Sequence, residues 1–134
     1  MSALKRLRRR QKEEEVKVDA QKMSDLEQLC GGDEETYEAL LNTMFLDPRK
    51  VSLSIGEALE NAKKLEKAKN PFRARIWYEV AGGLAIYEGD PQKVADYFAA
   101  AERVSGMHYT ILKNPKKAVA VAKEFYQKHL TTQS

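Results

Sequence analysis

Residues 70–103, NPFRARIWYEVAGGLAIYEGDPQKVADYFAAAER, carry two apolar patterns of helical period on either side of one turn, Gly89-Asp90-Pro91. No other stretch limits the fold so strongly. In the first half, Phe72, Ile76, Trp77, Val80, Ala81, Leu84, Ala85 and Tyr87 cover more than one stripe of a helix from Pro71 to Glu88. A helix apolar nearly all round is a central one, packed on several sides. Its one polar face holds Arg75 and Glu79, with Ile86 below them. The second helix, Pro91 to Val104, buries Val94, Ala95, Phe98, Ala101 and Tyr97. Together they read as a helical hairpin.

The flanking segments use a consistent grammar. Asn70-Pro71, Asp90-Pro91 and Asn114-Pro115 each set a capping side chain before a proline, whose missing N–H costs nothing at the first helical position. Ser54-Ile55-Gly56-Glu57 matches a capping box. The helix behind it buries Ile55, Ala58, Leu59, Ala62 and Leu65, and turns Lys63, Lys64 and Lys67 to water. The last helix, Pro115 to Leu130, sets Ala118, Val121, Ala122 and Phe125 on one face. Upstream, Ser24-Asp25-Leu26-Glu27 matches another capping box, opening a short helix that stops at Gly31-Gly32. Asp33 then caps a helix whose stripe, Tyr37, Leu40, Leu41, Met44 and Phe45, runs to Asp47-Pro48. Met107 to Leu112 reads as a loop or a helical turn, because no other strand is available to pair with it. The expected fold is all-α, a compact bundle of about five to six helices around the central hairpin. Residues 24–130 form its single domain, residues 1–23 an arm or solvated helix, and residues 131–134 a frayed tail.

Composition narrows the class. With 134 residues, 43% of them hydrophobic and 32% charged, the chain fits one soluble domain. No apolar run approaches the roughly 18 residues of a membrane span, and the basic start has no apolar core behind it to make a secretory signal. The single Cys30 rules out an intrachain disulfide, so a reducing, cytoplasmic compartment is expected. A net charge of +3 hides an asymmetry: residues 1–12 hold six Lys/Arg and no acid, residues 13–40 hold ten Asp/Glu against two Lys.

The hairpin resembles one tetratricopeptide repeat, a helix-turn-helix unit of about 34 residues. Tyr78, Gly82, the Gly89-Asp90 turn, Phe98 and Ala101 stand at the spacing of such a repeat. Small residues at Ala81 and Gly82 let the two helices approach, and Phe98 and Ala101 fill the hairpin from the other side. Ala58, Leu59, Ala62 and Pro71 resemble the end of a preceding unit, and the last helix resembles a capping helix. The chain departs from the family at Ala85, Val94 and Gly106. A tight αα-hairpin in a compact bundle meets the same spacing.

Two surfaces are candidates for function. The resemblance implies a concave, peptide-holding groove on the polar side of the central helix, lined by Ile76, Glu79, Gly83 and Ile86. Gly83, with no side chain, would leave a slot there; contact with the preceding helix is the other reading of its size. The basic tip Lys5, Arg6, Arg8, Arg9 and Arg10 has the charge to neutralise RNA or DNA phosphates. It also has the spacing to pair within the arm, Arg9 with Glu13 and Arg10 with Glu14. His108, His129 and Cys30 show no metal-ligand spacing, so no metal or cofactor is expected. His108 and Tyr109 share a loop, but no nucleophile accompanies them. The expectation is a non-enzymatic helical scaffold for protein–protein interaction, with an RNA-, DNA- or ribosome-associated protein as the alternative. The arm and its acidic neighbour leave homodimerisation open.

Overall fold

The computed structural model describes residues 20–130, together with Ala3 and Arg6. Among the described residues every regular element is helical, and they form an all-α bundle without a strand. Helix α1 is described over residues 20–29. It is followed by α2 (Glu34–Leu41), α3 (Ile55–Lys67), α4 (Pro71–Glu88), α5 (Pro91–Ser105) and α6 (Pro115–Leu130). Short 3-10 turns lie at Pro48–Lys50 and Thr110–Lys113.

The caps work as their chemistry requires. The Asn70 side chain accepts from the Arg73 N–H at 3.3 Å, Asp90 from Gln92 and Lys93 at 3.1 Å, and Asn114 from Lys117 at 3.2 Å. Ser54 and Glu57 cap each other's backbone N–H groups. Each uncharged cap contributes about 1 kcal/mol. Between α4 and α5, Gly89 takes φ +80°, a conformation that suits a residue without Cβ.

Helix α4 is the hub and packs on α3, α5 and α6. Its approach to α5 depends on Gly82: a Cβ there would lie 2.5 Å from the Phe98 ring, closer than van der Waals contact allows. Phe98, Val94 and Ala101 of α5 are fully buried in one core cluster with Ala85 of α4. Each large side chain so buried stabilises the fold by about 1.5–3 kcal/mol. At the rim, Glu66 of α3 accepts from the Tyr78 hydroxyl of α4 and from two nitrogens of Arg103 of α5 at 3.0 and 3.1 Å. The Arg103 bonds, then Tyr78, hold the Glu66 carboxyl below its ordinary value.

Three details differ from the sequence-based expectation. Burial of α4 is continuous only from Ala81 to Ile86; Trp77 is half-buried, and Phe72, Ile76 and Tyr87 are 64%, 41% and 43% exposed. The helix is enclosed toward its C-terminal end, where α5 and α6 both reach it, and its first turns stand at the edge. Helix α2 stops at Leu41, short of Asp47-Pro48. Beyond it Tyr126 of α6 donates to the Phe45 carbonyl at 2.6 Å, tying the segment after α2 to α6. Tertiary contacts override the local apolar period.

The third difference is at α1, already helical at residue 20, so Ser24 lies inside the helix rather than at its cap. Asp25, the second residue of that motif, is buried. It accepts from Gln21 at 3.2 Å and meets α6, with Lys128 Nζ at 3.3 Å and His129 Nε2 at 3.1 Å. Burial pushes its carboxyl up, but the Lys128 hydrogen bond and charge, with Gln21 and His129, win and hold it below the ordinary 3.8. A carboxyl lowered by folding stabilises the fold fully above its unfolded value and loses that contribution as pH falls through its folded value. Asp25→Asn should therefore raise amide hydrogen exchange in residues 22–30 near neutral pH and remove the further rise that wild type shows below 3.8. Exchange unchanged by the substitution would mean that Leu26 and Cys30 alone hold α1 down.

Candidate functional site

The four residues expected to line a groove share one side of α4, yet the structure divides them. Gly83 and Ile86 are buried, whereas Ile76 and Glu79 reach the surface. The reason is Phe45. A Cβ on Gly83 would lie 2.5 Å from the Phe45 ring and 3.1 Å from the Thr43 carbonyl oxygen. The space left by the missing side chain is filled by the segment after α2, neither open to solvent nor closed by α3. A partner therefore cannot reach Gly83 without displacing Thr43 and Phe45, and Ile86 is itself closed off from the surface.

Two hollows remain beside the exposed pair. One is a groove of about 280 Å³ at the open end of the α4–α5 hairpin, lined by Pro71, Phe72, Arg75, Val104, Ser105 and Met107. Met107 is 47% exposed and lines the groove with Phe72, and the exposed Ile76 follows Phe72 one turn along α4. The Arg75 guanidinium lies 5.1 Å from the Phe72 ring centre, in cation–π range, and also contacts the Met107 sulfur. Proline at the first turn of α4 and Gly106 after α5, with φ +73°, bring these side chains together.

The second hollow is a polar cleft of about 380 Å³ between α2, α4 and the loop after α5. Glu38, Asn42 and Thr43 line it from one side, Glu79 from α4, and His108 and Tyr109 from the loop. Glu79 Oε1 lies 3.6 Å from Arg75 Nε, but burial outweighs that cation and pushes its carboxyl up. Tyr109 is 8% exposed, and among the described residues its buried hydroxyl makes no hydrogen bond of full geometry, with Arg75 and Ser105 as its nearest polar neighbours. Burial, then the charge of Glu79, raises its titration. His108 Nδ1 sits 2.6 Å from Glu102, on the outer wall.

Of the basic tip, Arg6 is helical and exposed, and Lys5, Arg8, Arg9 and Arg10 lie outside the described residues. Among the described residues no cluster of His, Cys, Asp and Glu has the makings of a metal site, and no helix is long and apolar enough to cross a membrane. Sequence reasoning took Phe72 into the apolar face of the central helix and left Met107 in a loop or helical turn without a role, and so missed both as surface residues. Phe72 directly follows the Asn-Pro start of α4, and Met107 directly follows the Gly106 stop of α5. Those boundary positions were the available signal. No family model, curated protein or solved structure matches the chain.

The Phe45–Gly83 contact can be measured. Gly83→Ala should cost about 1–3 kcal/mol in urea unfolding, the usual penalty for overpacking. In a Phe45→Ala background the same substitution should cost at least about 0.5 kcal/mol less, because the obstructing ring is gone. Additive effects would show that the two positions do not touch.

Proposed function

We propose that the protein is a small, non-enzymatic helical scaffold for protein–protein interaction, and that its contact surface is the apolar groove at the open end of the α4–α5 hairpin. The observation that carries this reading is the exposure of Phe72 (64%) beside Ile76 and Met107. Exposed large apolar side chains are unremarkable singly, but grouped and rimmed by charge they mark contact sites. The tetratricopeptide-like reading of the hairpin is part of the proposal. Its supports are Gly82 beneath Phe98 and the Gly89-Asp90 turn. The free, buried Cys30 fits a reducing, cytoplasmic setting.

Phe72→Asp tests the groove. Because Phe72 is at the surface, stability should change by no more than about 0.5 kcal/mol. Affinity capture with quantitative mass spectrometry should show the same protein lost with Phe72→Asp and with Met107→Asp, and kept with a control substitution at Lys123. Identical recovery by all variants would overturn the assignment.

A second reading is favoured by the acid-free residues 1–12, within which Arg6 is exposed. There the protein also holds RNA or DNA through its basic tip. Deleting residues 1–12 should flatten the salt dependence of duplex binding by roughly 0.9 log units per lost phosphate contact. Equal slopes with and without the tip would remove this reading.

A further inference from the structure

Charge is unevenly distributed around the apolar groove. Helices α3 and α5 both end where α4 begins, and the bonds of Glu66 to Arg103 pin the two ends together. Between positions 63 and 75 this corner holds Lys63, Lys64, Lys67, Lys69, Arg73 and Arg75 against one acid, Glu66. Glu66 is engaged by Arg103 and Tyr78, and Glu102 near the end of α5 is engaged by His108. We propose that the segment seated in the Phe72 groove is an acidic stretch of the partner protein. One large apolar side chain lies between Phe72, Val104 and Met107, and the carboxylates flanking it meet Arg75 in the groove and Lys67, Lys69 and Arg73 at its α3–α4 edge. This rests on the protein-binding reading above and adds the chemistry that the partner must present.

The first support is that the edge cations are free of internal partners. Arg49, Lys93, Lys113, Lys117 and Lys128 each lie against a carboxylate of the fold. Lys67, Lys69 and Arg73 are exposed, and among the described residues none of them has an ion-pair partner. An arriving carboxylate displaces no existing pair there. Arg75 meets Glu79 through Nε at 3.6 Å, while its Nη1 contacts the Met107 sulfur and its guanidinium lies over Phe72.

The second support is conformational. Lys69 has φ +57°, and among the described residues it is the only one other than glycine with a positive φ. It ends α3 in the left-handed turn that Gly89 and Gly106 supply after α4 and α5. Its N–H donates to the Glu66 carbonyl at 3.0 Å, and that of Asn70 to the Leu65 carbonyl at 2.9 Å, the bond pattern of such a stop. Glycine meets this geometry without a Cβ penalty, so a lysine here sets a cation beside Pro71 against the backbone preference.

The lining favours an acidic protein segment over a nucleic acid. Pro71, Phe72, Val104 and Met107 are apolar walls that reward a buried side chain. A phosphate strand would use the edge cations alone and leave those walls uncovered. Met107 also borders the polar cleft, where Glu38 and Glu79 repel an acidic chain and direct it toward the α3–α4 edge.

The test is fluorescence anisotropy of the full chain with a labelled peptide of alternating Asp and Glu around one central leucine. A Kd on the order of 100 μM is expected, rising with salt because the edge cations are exposed. Replacing the leucine by serine, or the acids by their amides, should each weaken binding about tenfold. Lys67→Glu, Lys69→Glu and Arg73→Glu together should do the same, the effect of three exposed ion pairs, at unchanged melting temperature. The same charge change at Lys50, Lys116 and Lys123 should leave the affinity within about twofold. No binding, equal binding of the serine or amide peptide, or equal affinity for oligothymidylate would overturn the proposal. In affinity capture, a protein lost with Phe72→Asp but kept with the triple reversal would overturn the acidic assignment and leave the groove standing. A protein kept with Phe72→Asp would overturn the groove, and this inference with it.

Discussion

The Phe98 ring packs so close to the backbone of Gly82 that a Cβ has no room there, and much else follows from that contact. No side chain at position 82 means that α5 can lie almost directly on α4, and any Cβ would collide with the ring at 2.5 Å. Phe98 is then fully buried, and its ring sits 5.4 Å from that of Tyr109. That contact folds the loop after α5 back over the hairpin and places Ile111 in the core. Helix α6 starts from there and lays Ala118, Ala122 and Phe125 against the rest. Interiors are close-packed, so one small residue at a crossing sets the position of everything stacked behind it.

Gly83 plays the corresponding part on the adjacent side of α4, with the opposite functional consequence. Here the space is taken by Phe45, whose backbone carbonyl is tied to Tyr126 of α6. The chain closes its own slot. What remains available is the end of the hairpin away from the Gly89 turn, where α4 begins and α5 ends. There, among the described residues, no later element covers Phe72, Ile76 or Met107. The surface proposed for partner contact is thus a by-product of where the flanking segments run out.

Charge is distributed with similar economy. The bonds of Glu66 to Tyr78 and Arg103 join α3, α4 and α5 at the rim, and Asp25 with Lys128 and His129 joins α1 to α6. In both places a carboxylate has cations enough to be held below its ordinary value. Glu79 stands apart: it is partly buried, faces one shared arginine, and is pushed up instead.

Much of this molecule was legible in its sequence. Local chemistry sets the helix starts at Ser54, Asn70, Asp90 and Asn114 and the stops at Gly89 and Gly106, since each depends only on a side chain and its neighbours within four residues. The apolar period placed Phe98, Ala101, Ala118 and Phe125 in the core, and the small Gly82 announced a close crossing. What the period cannot carry is which stripe meets a neighbour. Phe72 and Ile86 are both apolar, but one lies at the bundle's edge and the other in the core. The early end of α2, the burial of Asp25 and the sharing of Met107 between two hollows likewise depend on groups far apart in the chain. Such contacts exist only once the helices are stacked, and only the tertiary structure decided them.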